Sequence, residues 1–352
     1  MSTYRATDLE QYAATLLAAG GFAAPHAEKT ASVLVWANAR GAESHGVLRI
    51  PRYLEMVEQG RINPVAEPAV VRREGAISIL EADRAPGGSS MSMAMEEAVR
   101  NAFASGIGWC SARNISHAGA IGYYALEAAR QDCIGIVMTA SGPLMAYHGS
   151  AVAGVSTNPL AIAAPGRDRP LLLDMSTSTV ALGKILAARD AGVAIPEGWG
   201  LDADGRPTTD PNAVSTVTPL GGPKGSGLSL MVEVLSSILV SNPVIAAILD
   251  GEEARMNGAA IAIRLSAFGA PEAFRDEVER VADRIRALPR SPGTDHILMP
   301  GERGFTMAEK RIREGIPMAA GTERRLARLA ERLGVEIPKP LENPPPSGAD
   351  TN

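Results

Sequence analysis

Only two cysteines, Cys110 and Cys133, occur in 352 residues. That excludes a disulfide framework and any cysteine-built zinc motif, and it fits a reducing cytoplasm. The five histidines, at 26, 45, 117, 148 and 296, show neither HxxxH nor HxH spacing, and no EF-hand pattern occurs, so no metal site is expected. No apolar run approaches the length of a bilayer span. The first residues, MSTYRATDLEQYAATLL, carry charges through their apolar stretch and offer no cleavage pattern, so a cytoplasmic protein without a membrane partner is expected. A surplus of positive charge is missing as well. The net charge of -5 argues against a nucleic-acid partner and leaves small anions to individual Arg and Lys side chains. The common nucleotide signatures are also absent: Gly183-Lys184 fails as a P-loop because Ser178 stands where its first glycine belongs, and no GxGxxG turn occurs. No internal repeat is evident.

What is present describes a well-buried globule, 45% hydrophobic and 21% charged. The length exceeds one ordinary core, so two domains with a pocket at their interface are expected. Thr7 and Glu10 have capping-box spacing ahead of a helix that Gly20-Gly21 stops, and Pro25 suits the first turn of a second helix running to about Arg40. From about residue 71, short strand-like pieces lie between Gly and Pro punctuation at 76–80, 107–113, 134–139, 160–164, 171–174 and 259–264. Helical patterns fall at about 90–104, 119–131, 178–190 and 225–240, then near 271–287, 307–315 and 322–334. This is an α/β middle between helical ends. It divides into a helical part (1–70), an α/β part (71–270), C-terminal helices packing back on the first part (271–336), and a Pro-rich tail (337–352) too polar to order itself.

The stretch Ser44 to Tyr53, SHGVLRIPRY, organises the functional reading. Pro51 is costly deep inside a helix, so the regular helix should begin near Leu48 to Ile50 and leave Ser44, His45 and Gly46 at or before its N-terminus. His45 and Arg49 suit a 2-oxo or 2-hydroxy acid, because Arg holds a carboxylate through two parallel hydrogen bonds while an imidazole gives or takes a proton. The bland alternative is a structural or solvated histidine. A helix N-terminus disfavours imidazolium, so His45 needs a carboxylate nearby to act as an acid.

Four further segments could carry chemistry. His117 sits at a strand-to-helix turn beside glycines, where α/β proteins place ligands, though a cap histidine beside packing glycines reads equally well. GVSTNP (154–159) and DMSTS (174–178) put small hydroxyl residues at prospective helix starts, which suits an anion or simple N-capping. PLGGPKGSGL (219–228) suits an anion site with Lys224 as point charge. Trp36, Trp109 and Trp199 read as core or loop anchors, and DADGRPTTDP (202–211) as a surface loop or mobile flap.

Together these motifs resemble one family, the malate/L-lactate dehydrogenase group of NAD(P)-dependent 2-oxo acid reductases, distinct from the Rossmann-type lactate and malate dehydrogenases. SHGVLRIPRY, NISHAGAIGYYAL, STNPLAIAAP, LDMSTSTVALGKI, IPEGWGLDADGRPTTDP, PLGGPKGSGLSLMVEVL and LMPGERG follow in consistent order from 44 to 304. The resemblance implies a non-Rossmann α/β cofactor-binding sheet domain beside a helical domain built from both chain ends, in a homodimer. It implies His45 as proton donor with Ser44 and Asp174 as relay, and His117 as acid/base or pocket residue. Arg49 would clamp the substrate carboxylate, with Arg52, Tyr53 and Thr157 nearby. NAD or NADP would be held by His117, Ser141, Asp174, Met175, Ser176, Thr177, Lys224, Gly225, Glu302, Arg303 and Gly304. Two departures concern pocket shape: Pro223, where relatives commonly carry an aromatic residue, and Ala118, where they carry Phe.

The expected activity is hydride transfer between a nicotinamide and C2 of a small 2-oxo or 2-hydroxy acid of malate, lactate, sulfolactate or ureidoglycolate type. The alternatives are reduction of a cyclic imine carboxylate such as piperideine- or pyrroline-2-carboxylate, and a catalytically silent dinucleotide-binding protein. His45, Arg49, His117 and Asp174 should converge on one pocket beside Lys224.

Overall fold

The chain enters as a strand rather than a helix. Ser2–Tyr4 pairs antiparallel with Ile316–Met318 and joins the two chain ends, in a computed structural model that describes residues 2–341. This pairing starts helix α1 (Ala6–Ala19) earlier than the spacing suggests, with Arg5 at its N-cap and no side-chain cap. The expected capping box therefore does not form. Thr7 turns to Asp8, and Glu10 accepts from the Ser32 hydroxyl of α2 (Ala24–Ala39). Pro25 lies in the first turn of α2, where its missing N–H costs nothing.

After α2 the chain makes two 3-10 turns, Glu43–His45 and Val47–Arg49, before α3 (Ile50–Glu58), which carries Pro51 in its first turn as expected. Helices α4 (Gly87–Ser105) and α5 (Gly122–Ala129) follow, packed on a seven-stranded sheet. The sheet order is Ala69–Glu74, Ile77–Glu81, Ile107–Ile115, Met256–Arg264, Cys133–Ala140, Leu160–Ala164 and Leu171–Met175. Only Ile77–Glu81 with Ile107–Ile115 is parallel; every other neighbouring pair is antiparallel. A Rossmann sheet is parallel throughout its core, so this is a different α/β architecture, in line with the missing GxGxxG. Gly108 and Gly135 let the two helices lie close on the sheet, since a side chain there would strike the backbone of α4 and α5.

Helices α6 (Leu182–Ala191), α7 (Pro223–Ser236) and the short α8 (Ile245–Leu249) flank a small five-stranded sheet that contains Met145–Ala146, Ala153–Val155 and Thr216–Val217. Its two- and three-residue strands are too short to leave a periodic signal in the sequence. Helices α9 (Pro271–Arg286), α10 (Glu302–Glu314) and α11 (Ala320–Leu333) complete the chain. Arg275 of α9 pairs with Asp132 beside the main sheet.

Apolar burial follows this layout. Leu9, Leu16 and Leu17 of α1 share a core with Leu34 of α2, Ile50 and Leu54 of α3, and Leu326 and Leu329 of α11, so both chain ends build one helical body. Met91, Met95, Leu80, Val137 and Tyr124 centre the sheet core. Residues 342–352 of the expected Pro-rich tail lie outside the described residues. Residues 337–341 have no regular structure, and Leu341 N–H donates to Thr3 O at 2.8 Å. Among the described residues no helix is long and apolar enough to cross a membrane.

Candidate active site

Asn38, near the end of α2, sets the geometry of the SHG turn. Its Oδ1 accepts from Val47 N–H at 2.8 Å, and any side chain at position 46 would collide with it, so the turn requires Gly46. This leaves the backbone of His45 in a 3-10 turn outside α3 and sets its ring beside that of His117. Ser44 Oγ lies 3.0 Å from His45 Nδ1, and Arg49 Nε donates to Ser44 O at 2.6 Å. Among the described residues the two terminal nitrogens of Arg49 have no hydrogen-bond partner, so its planar fork is available to a ligand.

His117 arrives from the loop between the strand Ile107–Ile115 and α5. Its ring lies nearly parallel to that of His45, with centroids 5.8 Å apart and planes at 17°. Tyr53, buried on α3, places its hydroxyl 2.8 Å from His117 Nδ1. His45, Arg49, His117 and Tyr53 thus form one cluster, contributed by segments more than sixty residues apart in sequence. Both imidazoles are half-buried. Burial, followed by the charge of Arg49, lowers His45 from 6.5 to about 4. Burial, then Arg49, then His45, lowers His117 to about 3. Burial raises Tyr53 well above the usual phenol range. At neutral pH both rings are neutral and the phenol keeps its proton.

Asp174 does not make the expected relay contact. It lies one residue before the end of the last strand of the sheet, which delivers it to the start of α5, where its Oδ2 accepts from Gly122 N–H at 3.0 Å. A carboxylate suits that position because the helix N-terminus carries partial positive charge. It has no hydrogen bond to Ser44 or His45. Burial pushes its pKa up, against the opposing pull of the Gly122 N–H and of Arg40.

Arg40, at the end of α2, belongs to no motif of the sequence. Its guanidinium lies between the rings of Trp36 and Phe305, at 5.0 and 4.2 Å, and donates to Gly301 O at 3.2 Å. It fills the space a side chain at Gly304 would need, so Gly304 follows from Arg40. Trp36 serves as a platform here, contrary to its reading as a plain core anchor.

The hydroxyl-rich segments come together, though not as helix caps. The DMSTS residues precede α6 by several positions, and its N-cap is Ala181. Instead, Ser176 and Ser178 hydrogen-bond each other at 2.9 Å, and Thr177 N–H donates to Thr157 O at 3.1 Å. Asn158, buried and also missed, accepts from Ser141 N–H at 3.1 Å and donates to Ser229 O at 3.0 Å, tying GVSTNP to α7. Ser141 and Ser156 share a 2.6 Å hydrogen bond. The glycine-rich loop closes on the same group: Leu220 N–H donates to Thr177 O at 2.9 Å, and a side chain at 225 would strike that carbonyl. Pro223 occupies the first turn of α7, a position that favours it.

The remaining expected residues divide. Lys224 and Arg303 are exposed and have no salt-bridge partner among the described residues. Glu302 is spent locally, its Oε2 accepting from Met299 N–H at 2.8 Å. Arg52 is exposed and paired with Glu55 at 2.8 Å, away from the imidazole cluster, because Tyr53 takes the inward position on α3. Convergence therefore holds for His45, Arg49 and His117. Among the described residues Asp174 and Lys224 make no hydrogen bond to any of the three, and Asp174 is held instead by Gly122 N–H.

Against known proteins, the family described as malate/L-lactate dehydrogenase matches residues 4–327. Ureidoglycolate dehydrogenase (NAD(+)) of Escherichia coli K12 is 36% identical over 314 residues, spanning 88% of this chain and 90% of that protein. The crystal structure of malate dehydrogenase from Entamoeba histolytica superposes with a TM-score of 0.91 at 26% identity, covering 96% of this chain and 99% of the other. That of delta1-piperideine-2-carboxylate reductase from Pseudomonas syringae gives 0.84 at 25%, covering 94% and 100%.

Proposed function

The chain belongs to the malate/L-lactate dehydrogenase family of oxidoreductases, and on that premise we propose that it transfers a hydride between NAD and C2 of a small 2-hydroxy or 2-oxo acid. The observation that carries this reading is the Arg49 fork, unpartnered among the described residues, beside two neutral imidazoles that no described carboxylate contacts. Such a pocket has charge to offer a carboxylate and a base to offer a hydroxyl.

In the oxidative direction the carboxylate of the 2-hydroxy acid binds across the two free nitrogens of Arg49 and fixes C2 beside the imidazoles. His45, neutral at pH 7, takes the proton of the C2 hydroxyl at Nε2, while Ser44 Oγ holds Nδ1 and fixes the ring. The low pKa of His45 has two causes, burial and the charge of Arg49, and a substrate carboxylate counters the second. A carboxylate on Arg49 offsets the guanidinium charge, so His45 binds a proton more readily once substrate is present. The same shift makes it a proton donor in the reductive direction.

The dinucleotide accepts or supplies the hydride when bound. The residues present fit such a group. Among the described residues Thr177 Oγ1 is buried without a partner and Lys224 and Arg303 have no carboxylate partner, and Gly225 leaves bare backbone where a side chain cannot stand. Ser141, Asp174, Met175, Ser176, Thr177, Lys224, Gly225, Arg303 and Gly304 would hold it. NAD is favoured over NADP by the name of the Escherichia coli relative. A cytoplasmic homodimer completes the reading.

The similarity to a piperideine carboxylate reductase favours a second reading, in which the same fork binds a cyclic imine carboxylate and His45 protonates nitrogen. A panel of oxaloacetate, pyruvate, sulfopyruvate and piperideine-2-carboxylate, each with NADH and NADPH and followed at the reduced nicotinamide band, tests both. Turnover of 2-oxo acids alone supports the first reading and turnover of the imine alone the second. Cofactor binding without turnover of any member would leave a silent dinucleotide-binding protein.

A further inference from the structure

The geometry assigns Tyr53 a role as the positioning residue that fixes the tautomer of His117, so that His117 holds the reacting oxygen of the substrate by a hydrogen bond from Nε2–H and does not supply the proton. The assignment rests on the function proposed above only for what the Nε2–H faces; the tautomer itself follows from the protein alone.

The Tyr53 side chain is buried, and its hydroxyl has one partner among the described residues, Nδ1 of His117 at 2.8 Å. A buried hydroxyl proton needs an acceptor, and here only Nδ1 is within reach. If Nδ1 carried the proton and donated to the phenol oxygen, the phenol proton would be stranded. An unsatisfied buried donor is disfavoured by roughly ten- to a hundred-fold. The bare-Nδ1, protonated-Nε2 tautomer is therefore the one the packing selects. Nε2 has no protein partner among the described residues, which leaves it free for a ligand held beside His45 and Arg49, the two groups whose charges bear on the ring.

This also separates the two histidines chemically. To act as an acid, neutral His117 would break Nε2–H and pass that proton to the substrate oxygen. The imidazole could then stay neutral only by taking the Tyr53 proton at Nδ1, which leaves a buried phenolate. Burial already raises the Tyr53 phenol well above its usual range, so at working pH it keeps its proton. His45 has no such lock: its Nδ1 faces a serine hydroxyl, which serves as donor or acceptor, so its ring can gain and lose a proton at Nε2 while keeping that contact.

The test uses full-length protein labelled with 15N-histidine. Long-range nitrogen–proton correlation at neutral pH should show His117, identified by its loss in His117→Gln, with bare Nδ1 and protonated Nε2, and Tyr53→Phe should turn that pattern into a tautomer mixture. Tyr53→Phe should also lower kcat about ten- to a hundred-fold with KM for the 2-oxo acid within about threefold. His117→Gln, whose amide presents an N–H near the position of Nε2–H, should keep more kcat than His117→Ala. A protonated Nδ1 in the wild type, or a pattern unmoved by Tyr53→Phe, overturns the assignment. So does a Tyr53→Phe variant that changes KM and not kcat, which would make Tyr53 a direct substrate contact. The resonances need no turnover, so an enzyme inactive on every 2-oxo acid would overturn the functional reading and leave the tautomer standing.

Discussion

Replacing Arg49 by Met removes the fork while keeping the length of the side chain, and its consequences can be worked from the structure. Among the described residues the Arg49 side chain makes one hydrogen bond, Nε to Ser44 O at 2.6 Å, which leaves both terminal nitrogens available. A substrate carboxylate seated there gains two charge-assisted hydrogen bonds, each worth about 1.5–3 kcal/mol in proteins. Losing both, with water partly replacing them, should cost about 3–4 kcal/mol, a 10²- to 10³-fold fall in kcat/KM. Most of it should appear in KM, because the clamp is made in ground and transition state alike. The loss of the positive charge also removes the second cause that depresses His45 and His117, so both should titrate at higher pH in the variant. Steady-state kinetics on the preferred 2-oxo acid, beside an uncharged ketone of the same carbon skeleton, isolates the carboxylate. The charged substrate should lose the full factor while the ketone, already poor, changes by less than about threefold. A variant whose kcat/KM for the acid stays within threefold of wild type would refute the clamp and with it the orientation of C2 toward His45.

Three further outcomes are expected. His45→Ala should lower kcat by about 10²- to 10⁴-fold, the usual worth of a general acid or base; retained turnover would move the proton to another group. Because both imidazoles have folded pKa values below the unfolded 6.5, the unfolded chain binds more protons, so stability present above pH 6.5 is lost as pH falls toward 4 and 3. Urea unfolding should show a loss of about 3 kcal/mol between pH 7 and 4, discounted for rings half-open to water, and His45→Gln/His117→Gln should flatten it; an equally steep double variant would mean that carboxylates carry the effect. Gly225→Ala puts a methyl against the carbonyl of Thr177 and the backbone of Leu220. It should cost about 1–3 kcal/mol of stability and raise KM for NAD more than for the acid, measured by thermal unfolding and cofactor titration.

Much of the fold was written locally in the chain. The apolar periodicity and the Gly and Pro punctuation place six of the seven central strands and the main helices to within a few residues, because helix and strand periods and turn residues act over short range. Pro51 alone fixed where α3 starts. The strand Ala69–Glu74 escaped because five of its six residues are exposed and its three apolar residues precede three charged ones, with no alternation. The short strands near 145, 154 and 216 escaped because two or three residues have no period, and Thr7–Glu10 misled because the pairing of Ser2–Tyr4 with Ile316–Met318 set the start of α1 from more than three hundred residues away.

The site divides in the same way. Chain chemistry by itself determined that His45 and Arg49 stand four residues apart across a helix start, that hydroxyl and glycine residues cluster near 157, 177 and 225, and that cysteine and metal chemistry have no motif. Only the tertiary structure decided the partners of each group. It set His117 beside His45, gave the Tyr53 hydroxyl to His117 rather than to solvent, turned Asp174 onto the N-terminus of α5, and lodged Arg40 between Trp36 and Phe305. The physical reason is range. Backbone preference is settled among neighbours within a turn or two, whereas the protonation state and direction of a buried polar side chain depend on which distant donor or acceptor the packing brings within three ångströms of it.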